Sequence, residues 1–284
     1  MSSEEAGVMP KVKVNSVGIY YEESGLPDKT PFFFTGHGRK SWMWQVEYFS
    51  EHYRVITHDR RGTGNSDDPN GQWTVKDFCD DLLALMDHLG VEKAIVGGHS
   101  LGGAISCLFG LDHPDRVLAL IFSGQCYYWD KLTNEWADER LAGKATLESQ
   151  PKSFEWDERG PPTTNPEFAK SPHGAYYLQI LRDAGSWRPP EQLKKNSINQ
   201  LRALRGWDMR PRAKELKKLG EKVPVLIMIG EEESQGGIPL AYEWSKAIPN
   251  SEFIINERCY HAAPREDPAL WNSRVHGFLK RHGL

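Results

Sequence analysis

The sequence predicts an α/β fold with a mostly parallel sheet that carries helices on both of its faces. The first observation is the alternation of short apolar runs with segments of helical spacing from about residue 17 to residue 120, which resumes near residue 225. The second is size, because 284 residues with 39% hydrophobic content are enough for one large α/β domain with an insertion. We therefore expect one sheet as the framework of the molecule.

Eight runs of apolar, aromatic and β-branched residues, bounded by turn residues, are predicted as strands. In chain order they cover residues 11–15, 18–23, 32–35, 54–58, 94–97, 117–122, 225–229 and 252–255. Longer segments with apolar residues at helical spacing predict helices at residues 42–52, 74–89, 101–112, 240–247 and 268–280. Strands followed by helices are what a mostly parallel sheet requires.

The pattern changes between residues 125 and 207. Aromatic residues, prolines and short helical pieces replace the apolar strands, as in Tyr127-Tyr128-Trp129 and Trp187-Arg188-Pro189-Pro190. This segment is predicted to be an insertion into the alternating core.

One serine lies between glycines at the junction of a predicted strand and a predicted helix. The segment Gly98-His99-Ser100-Leu101-Gly102 directly follows the apolar run Ala94-Ile95-Val96-Gly97. Ser100 is therefore predicted on a sharp strand-to-helix corner, with strained backbone angles and its hydroxyl in a cleft. The glycines allow strand and helix to approach closely, and the first N–H groups of the helix favour an oxyanion beside the serine.

A base and an acid follow Ser100 in the chain. His261 lies in a loop after the apolar strand at residues 252–255, and it is the candidate base because a serine alcohol is a poor nucleophile at neutral pH. The apolar strand at residues 225–229 ends in Glu231, Glu232 and Glu233. We predict Glu233 as the acid that orients His261, and Glu232 and Glu231 stay as alternatives.

These motifs, in this order, resemble the α/β-hydrolase superfamily over nearly the whole chain. Pro31-Phe32-Phe33-Phe34-Thr35-Gly36-His37-Gly38 is similar to the family's strand and oxyanion loop, and Thr57-His58-Asp59-Arg60-Arg61-Gly62-Thr63-Gly64-Asn65-Ser66-Asp67 resembles its next strand and glycine turn. Thr35 stands where the family usually has His, Glu233 where Asp is commoner, and Tyr260 where Gly is frequent. An acid after the sixth strand, as in some relatives, is excluded because residues 121–125 contain no carboxylate.

The resemblance implies an oxyanion hole made by two backbone N–H groups. Leu101, the residue after the nucleophile, supplies one of them. The second comes from His37 if Thr35-Gly36 takes the place of the family's His-Gly pair, and from Arg39 if His37-Gly38 does. We favour His37.

The resemblance also implies an eight-stranded core at residues 1–124 and 208–284 and a helical cap at residues 125–207, inserted after the sixth strand. A cap above Ser100 would exclude water and shape the pocket. The expected substrate-pocket residues lie beside the corner or in the cap: Gly36, His99, Cys126, Tyr128, Trp129, Tyr177 and Trp187. The number of aromatic side chains favours an apolar or aromatic substrate.

Composition restricts the partners and the compartment. A net charge of −4 gives no reason to expect nucleic acid or an anionic membrane, and residues 1–7 lack the apolar segment of a signal peptide. Four scattered cysteines without a metal-ligand spacing fit a reduced, cytoplasmic protein. We expect a small-molecule substrate as partner and no metal or organic cofactor; a homodimer is compatible with the sequence.

The function predicted from these residues is hydrolysis of a carboxylic ester or lactone through Ser100, His261 and Glu233. Dehalogenase or epoxide hydrolase chemistry is disfavoured because those relatives use aspartate where this chain has Ser100. A cofactor-free oxygenase, a perhydrolase, a carbon–carbon bond hydrolase and a small-molecule receptor with slow turnover stay open as alternatives, because one fold hosts many functions.

Overall fold

The computed structural model describes residues 10–144, 165–176, 179, 190–233 and 237–284 of the chain. Its framework is one eight-stranded sheet with the order β1-β2-β4-β3-β5-β6-β7-β8. The strand β2 is antiparallel to β1 and β4, and all pairs from β4 to β8 are parallel. The expected mostly parallel eight-stranded sheet is thus confirmed.

All eight strands lie where the sequence predicts them, with ends that differ by at most two residues. They are β1 (Lys11–Val14), β2 (Val17–Ser24), β3 (Pro31–Thr35), β4 (Arg54–His58), β5 (Ala94–His99), β6 (Val117–Ser123), β7 (Val225–Gly230) and β8 (Glu252–Asn256). The central strands β5 and β7 are buried along their whole length. This burial explains their continuous apolar sequence, which is typical of parallel strands covered on both faces.

The described helices, numbered in chain order, connect and flank these strands. They are α1 (Met43–Phe49), α2 (Val75–His88), α3 (Leu101–Asp112), α4 (Lys131–Leu141), α5 (Pro166–Lys170), α6 (Pro190–Leu204), α7 (Ala213–Gly220), α8 (Gly237–Ala247), α9 (Ala263–Glu266) and α10 (Pro268–Arg281). Short 3₁₀ turns occupy Arg39–Trp42, Pro114–Arg116 and Arg210–Arg212, and residues 172–176 are also helical.

Three predicted helices differ at their first residues, and α2 does so by one residue only. The helix expected at residues 42–52 is shorter, because the 3₁₀ turn Arg39–Trp42 precedes α1 and the last turn closes at Phe49. The helix expected from residue 240 begins at Gly237, with Pro239 in its first turn. Proline is accepted there because the first N–H groups of a helix have no partner within the helix.

Buried side chains fill both faces of the sheet. One cluster joins the sheet to α2, α3 and α8 and includes Phe122 and Trp244, whose rings stack at 4.8 Å. The other joins the sheet to α1 and α10 and includes Phe34, Trp42 and Trp271. Helices on both faces therefore hold the sheet in place and leave the carboxyl ends of its parallel strands free to form a site.

The chain leaves β6 and returns towards β7 along a short two-stranded ribbon. Tyr128 bridges Asp208 in antiparallel fashion, the Trp129 N–H donates to the Trp207 carbonyl (2.8 Å), and the Met209 N–H donates to the Tyr127 carbonyl (3.1 Å). The described parts between these two points contain α4, α5 and α6. The segment after β6 thus begins and ends at one place.

Candidate active site

The backbone at Ser100 is strained. Ser100 lies between the last residue of β5 and the first residue of α3, with φ 57° and ψ −121°. A residue other than glycine costs about 1–3 kcal/mol in such a sparsely populated conformation, so the surrounding structure must hold it there. The Ser100 N–H donates to the Ser123 carbonyl (2.8 Å), and 7% of the residue is exposed. The predicted strand-to-helix corner is therefore present.

The glycines around Ser100 allow the main chain of three elements to meet. A Cβ on Gly98 would lie 2.2 Å from the Gly102 carbonyl oxygen, and a Cβ on Gly102 would lie 2.3 Å from the Thr35 carbonyl oxygen. Neither position accepts a side chain without movement of the backbone. The end of β3 therefore rests directly on the first turn of α3.

Thr35 joins these elements through its side chain. Its buried hydroxyl lies 3.0 Å from the Gly102 carbonyl oxygen, 3.3 Å from the Gly97 carbonyl oxygen and 3.2 Å from the Ser106 hydroxyl. One hydroxyl thus contacts both β5 and α3. This contact gives a structural reason for threonine at the position where relatives of the predicted family usually have histidine.

The turn after β3 distinguishes the two predicted oxyanion donors by position. Gly36 has φ 94°, and its Cβ would lie 2.7 Å from the backbone nitrogen of Gly102. Gly38, by contrast, lies against the carboxylate of Asp59, and Arg39 begins a 3₁₀ turn. The Gly36–His37 peptide is therefore the one that adjoins the first turn of α3, where Leu101 lies.

Arg60 fixes the orientation of that peptide. Its Nε donates to the Gly36 carbonyl oxygen at 2.5 Å. In a trans peptide the carbonyl and the following N–H point in opposite directions, so the His37 N–H points away from Arg60. The sequence predicts Arg60 in the glycine turn and gives it no role in the site. The signal in the sequence was a second arginine beside Arg61 directly after a buried strand.

His261 and Glu233 are paired. The Nδ1 atom of His261 lies 2.9 Å from both carboxylate oxygens of Glu233, and 3% of Glu233 is exposed. The loops after β7 and β8 hold the pair, since a Cβ on Gly230 would lie 2.2 Å from the Tyr260 carbonyl oxygen and the Glu232 N–H donates to the Cys259 carbonyl (2.9 Å). A carboxylate at Nδ1 keeps the proton on that nitrogen and leaves Nε2 as the basic atom.

The neighbouring acids have other contacts. Glu231 accepts the Arg258 N–H at 2.7 Å, and both Glu231 and Glu232 line an open cavity of about 790 Å³, together with Glu257 and Glu266. Burial raises the pKa of Glu266, although its carboxylate accepts the Tyr260 and Asn165 N–H groups. Of the three glutamates after β7, Glu233 is the one in hydrogen-bond contact with His261.

His99 connects the two halves of the site. Its ring centroid lies 4.8 Å from that of His261, its Nδ1 lies 3.3 Å from the Ser123 hydroxyl, and 2% of the residue is exposed. Burial, and then the nearby charges of His261 and Arg265, hold its pKa well below the ordinary value, and burial has the same effect on the pKa of His37. Both imidazoles are therefore neutral at physiological pH.

Three of the expected pocket residues in the inserted segment are described. Cys126 is buried and its Sγ lies 3.1 Å from the Tyr128 carbonyl oxygen, while Trp129 is buried in the main core cluster. The Tyr128 hydroxyl lies 3.4 Å from Glu243, and Arg210 covers its ring at 3.8 Å. Tyr177 and Trp187 lie outside the described residues. Contact of any of these five with substrate stays a prediction.

A gap too small to hold a water molecule lies among His37, Ser41, Trp42, His99, Pro264 and Arg265. No group of three or more His, Cys, Asp or Glu side chains in the described residues is arranged to hold a metal ion. All four cysteines, each in a described segment, are free and buried. No described helix is long and apolar enough to cross a membrane.

Comparisons with known proteins agree with the fold. A family model described as alpha/beta hydrolase fold matches residues 25–268. A protein of Azorhizobium caulinodans named carbamate hydrolase RutD is 33% identical over 95% of this chain and 98% of its own length, and the Agrobacterium fabrum protein of the same name is 26% identical over 92% and 98%. The crystal structure of the enol-lactonase from Burkholderia xenovorans superposes with a TM-score of 0.77 at 21% identity, covering 95% of this chain and all of that one.

Proposed function

The chain belongs to the α/β-hydrolase fold family and is a hydrolase, and from this premise we propose that it is a serine hydrolase that cleaves a carboxylic ester or lactone. The observation that carries the proposal is the combination of a strained Ser100 with a paired His261 and Glu233. Strain at Ser100 is stored where a nucleophile must be presented, and the pair is the arrangement that a serine needs for activation.

In the proposed first half-reaction, Nε2 of His261 takes the proton of the Ser100 hydroxyl as Oγ attacks the substrate carbonyl. Glu233 stabilises the imidazolium that forms and does not itself take up a proton. The C–O bond to the alcohol then breaks, and His261 returns the proton to the leaving oxygen. The product of this step is an ester between Ser100 and the acyl group.

In this proposal the N–H groups of Leu101 and His37 donate hydrogen bonds to the tetrahedral oxygen and stabilise its negative charge. Leu101 is the first residue of α3, so its N–H has no acceptor within the helix. Arg60 holds the other side of the Gly36–His37 peptide, which orients the His37 N–H before substrate arrives. A donor fixed in advance contributes about 3 kcal/mol to stabilisation of the transition state.

The second half-reaction is hydrolysis of the acyl-enzyme. His261 takes a proton from a water molecule, the hydroxide attacks the acyl carbonyl, and the proton passes to Ser100 Oγ as the acid leaves. We further propose that residues 125–207 form the cap over this site. The paired ends of the segment and the contact of Gln200 in α6 with Arg60 support that assignment.

The test of the nucleophile is labelling with a serine-directed fluorophosphonate, followed by intact mass. We expect one adduct on the unmodified protein, one on the control Ser245→Ala, and none on Ser100→Ala. Ser245 is a fair control because its hydroxyl contacts the Tyr242 carbonyl on the outer helix α8. An adduct on Ser100→Ala, or its absence from the unmodified protein, would refute the assignment of Ser100.

A carbamate is the second candidate substrate class, and the relatives named carbamate hydrolase favour it. Its carbonyl offers the same site of attack to Ser100, but nitrogen donation makes the carbamyl-serine slower to hydrolyse. Matched para-nitrophenyl esters and carbamates separate the two. We expect steady turnover of the esters, whereas faster steady turnover of the carbamates would replace the proposed ester or lactone activity with carbamate hydrolysis.

A further inference from the structure

Arg60 is a buried cation that makes no ion pair with a carboxylate of the described residues. Only 6% of the residue is exposed, and among the described residues no carboxylate lies within ion-pair distance of its guanidinium. Its two hydrogen bonds go to neutral oxygens, namely the Gly36 carbonyl (2.5 Å) and the Gln200 side-chain amide (3.3 Å). A buried charge is costly unless an opposite charge meets it. In the part of the chain that the structure describes, no carboxylate therefore contacts this positive charge directly.

The next residue shows that the same turn can supply a counter-ion. Both Nε and Nη2 of Arg61 lie 2.6 Å from the carboxylate of Asp81, and this pairing raises the pKa of Arg61. Burial instead lowers the pKa of Arg60 to about 10. The charge of Asp59, the acid before Arg60, opposes this lowering, but its carboxylate accepts the Asn65 N–H at 2.7 Å and makes no ion pair with Arg60. Arg61 is therefore a structural ion pair, whereas the charge of Arg60 is available to something else.

The position of Arg60 is beside the proposed reaction centre. It follows β4, Ser100 follows β5, and β3 with its oxyanion turn lies between these two parallel strands. Neighbouring strands are about 4.8 Å apart, so the ends of β4 and β5 are separated by about 10 Å. Gln200 contacts Arg60 from α6, in the segment assigned to the cap. Arg60 thus lies at the boundary between the catalytic edge and the segment above it.

The guanidinium has donors left for a planar anion. An arginine side chain carries five N–H groups, and the contacts to Gly36 and Gln200 use two of them. The ring of Phe78 lies 5.4 Å from its central carbon. The three remaining N–H groups, on Nη1 and Nη2, can donate to a carboxylate in a two-point contact.

We propose that Arg60 is a carboxylate-binding residue and that the substrate is an ester or lactone that bears a second, ionised carboxyl group. The proposal rests on the hydrolase function given above. One positive charge without an ion pair suits one carboxylate, and binding of that group supplies the direct counter-ion that the described residues do not. The Arg60 side chain then both binds the substrate carboxylate and positions the oxyanion turn.

Two pairs of esters, each with one charged and one neutral member, test this specificity. The acyl pair is the mono-para-nitrophenyl ester of glutaric acid and para-nitrophenyl valerate; the alcohol pair is the butyrate esters of para-hydroxybenzoate and para-hydroxybenzamide. We expect kcat/KM to favour the charged member of at least one pair by tenfold or more. We expect Arg60→Gln to abolish that preference and Arg60→Lys to restore part of it. The ratio of the two kcat/KM values is the informative quantity, because disturbance of the oxyanion turn lowers kcat/KM for the charged and the neutral ester equally.

Arg54→Gln is the matched control. Arg54 begins β4 at the opposite edge of the sheet and pairs with Glu23 at 2.7 Å, so its loss should leave the charged-to-neutral ratio unchanged. If no pair shows a preference in the unmodified protein, the proposal is overturned, and this holds even if Arg60→Gln fails to fold. An Arg60→Gln variant that folds and keeps the preference also overturns it.

Binding without turnover separates this inference from the proposed function. Calorimetric titration of Ser100→Ala measures this binding and needs no catalysis. The ligands are monomethyl glutarate and methyl valerate, and then the two members of the alcohol pair. Tenfold tighter binding of a charged member, lost on Arg60→Gln, supports the site even if the protein hydrolyses none of the esters. Rapid hydrolysis with equal affinity for charged and neutral members supports the hydrolase and overturns the carboxylate site.

Discussion

The two halves of the candidate site are held in place by different means. Ser100 is positioned by main chain, because Gly98 and Gly102 bring β3, β5 and α3 closer together than any side chain would allow. His261 and Glu233 are positioned by hydrogen bonds between side chains and by two interlocked loops. Added side-chain atoms should therefore disrupt the position of Ser100, whereas removal of side-chain atoms should disrupt the pair of His261 and Glu233.

Removal of the base tests the side-chain half most strongly. We expect His261→Ala to lower kcat/KM by about 10⁵-fold or more, since members of a triad act as one unit and loss of the base disables the nucleophile. Ester hydrolysis and circular dichroism on the same preparation measure this. The control is His282→Ala at the end of α10, which should keep full activity. Comparable activity in His261→Ala would mean that another group takes the serine proton.

Removal of the acid's charge should have the next largest effect. We expect Glu233→Gln to lower kcat by about 10⁴-fold, because an amide cannot stabilise the imidazolium and favours the wrong tautomer of His261. Glu232→Gln is the matched control and should stay within a few-fold of the unmodified protein. If the loss occurs in Glu232→Gln instead, the acid has been assigned one residue too late.

Addition of one methyl group tests the main-chain half. A Cβ in Gly102→Ala would meet the Thr35 carbonyl at 2.3 Å and push the turn after β3, the proposed oxyanion turn, away from α3. We expect kcat to fall about 10²- to 10³-fold, similar to the loss of one oxyanion donor, together with a lower Tm. Gly277→Ala in α10 is the control, where the nearest atom is the movable end of Arg281 at 3.3 Å. There alanine should raise stability by up to about 1 kcal/mol.

Thr35 is the exception in the main-chain half, since its side chain carries part of the contact. We expect Thr35→Val to lower the free energy of unfolding by about 1–3 kcal/mol, because buried carbonyl groups of Gly97 and Gly102 lose their hydroxyl donor. Urea unfolding measures this loss. Thr63→Val, on a partly exposed turn, is the control and should cost less. An unchanged unfolding energy in Thr35→Val would mean that main-chain packing alone fixes β3 on α3.

The smallest expected effect is at His99, where the halves meet. Its pKa is depressed in the folded protein, so below about pH 6.5, the ordinary value for histidine, the unfolded chain binds the extra proton. The contribution to stability is complete above that pH and falls as the pH drops, by up to about 1.4 kcal/mol per unit. Urea unfolding at several pH values should show a shallower acid slope for His99→Asn. An equal slope would assign the acid sensitivity to other groups.

The framework was predictable because its signals are local. Buried strands such as β5 and β7 have continuous apolar sequences, and Ser100, Glu233 and His261 occur in the order of the strands that they follow, β5, β7 and β8. The start of α1 was not predictable in the same way, since the choice between a 3₁₀ turn and an α-helical turn at Arg39–Trp42 depends on packing against other elements.

The unpaired charge of Arg60 could not be read from the sequence. Two arginines follow β4, and only the three-dimensional contacts show that Arg61 meets Asp81 in α2 while Arg60 meets neutral oxygens from Gly36 and Gln200. Asp81 lies 20 residues after Arg61 in the chain, and Gln200 lies 140 residues after Arg60. The roles of Cys126, Tyr128 and Trp129 toward a substrate depend in the same way on distant contacts and stay predictions.

The ribbon that pairs residues 127–129 with residues 207–209 has a consequence for how the family diversifies. Because these two ends are paired with each other, the segment between them can be exchanged without rethreading any strand of the sheet. A donor segment from a relative, joined at Trp129 and Trp207, would meet ends that are already paired. The sheet with the candidate site and the proposed cap can therefore change independently in evolution.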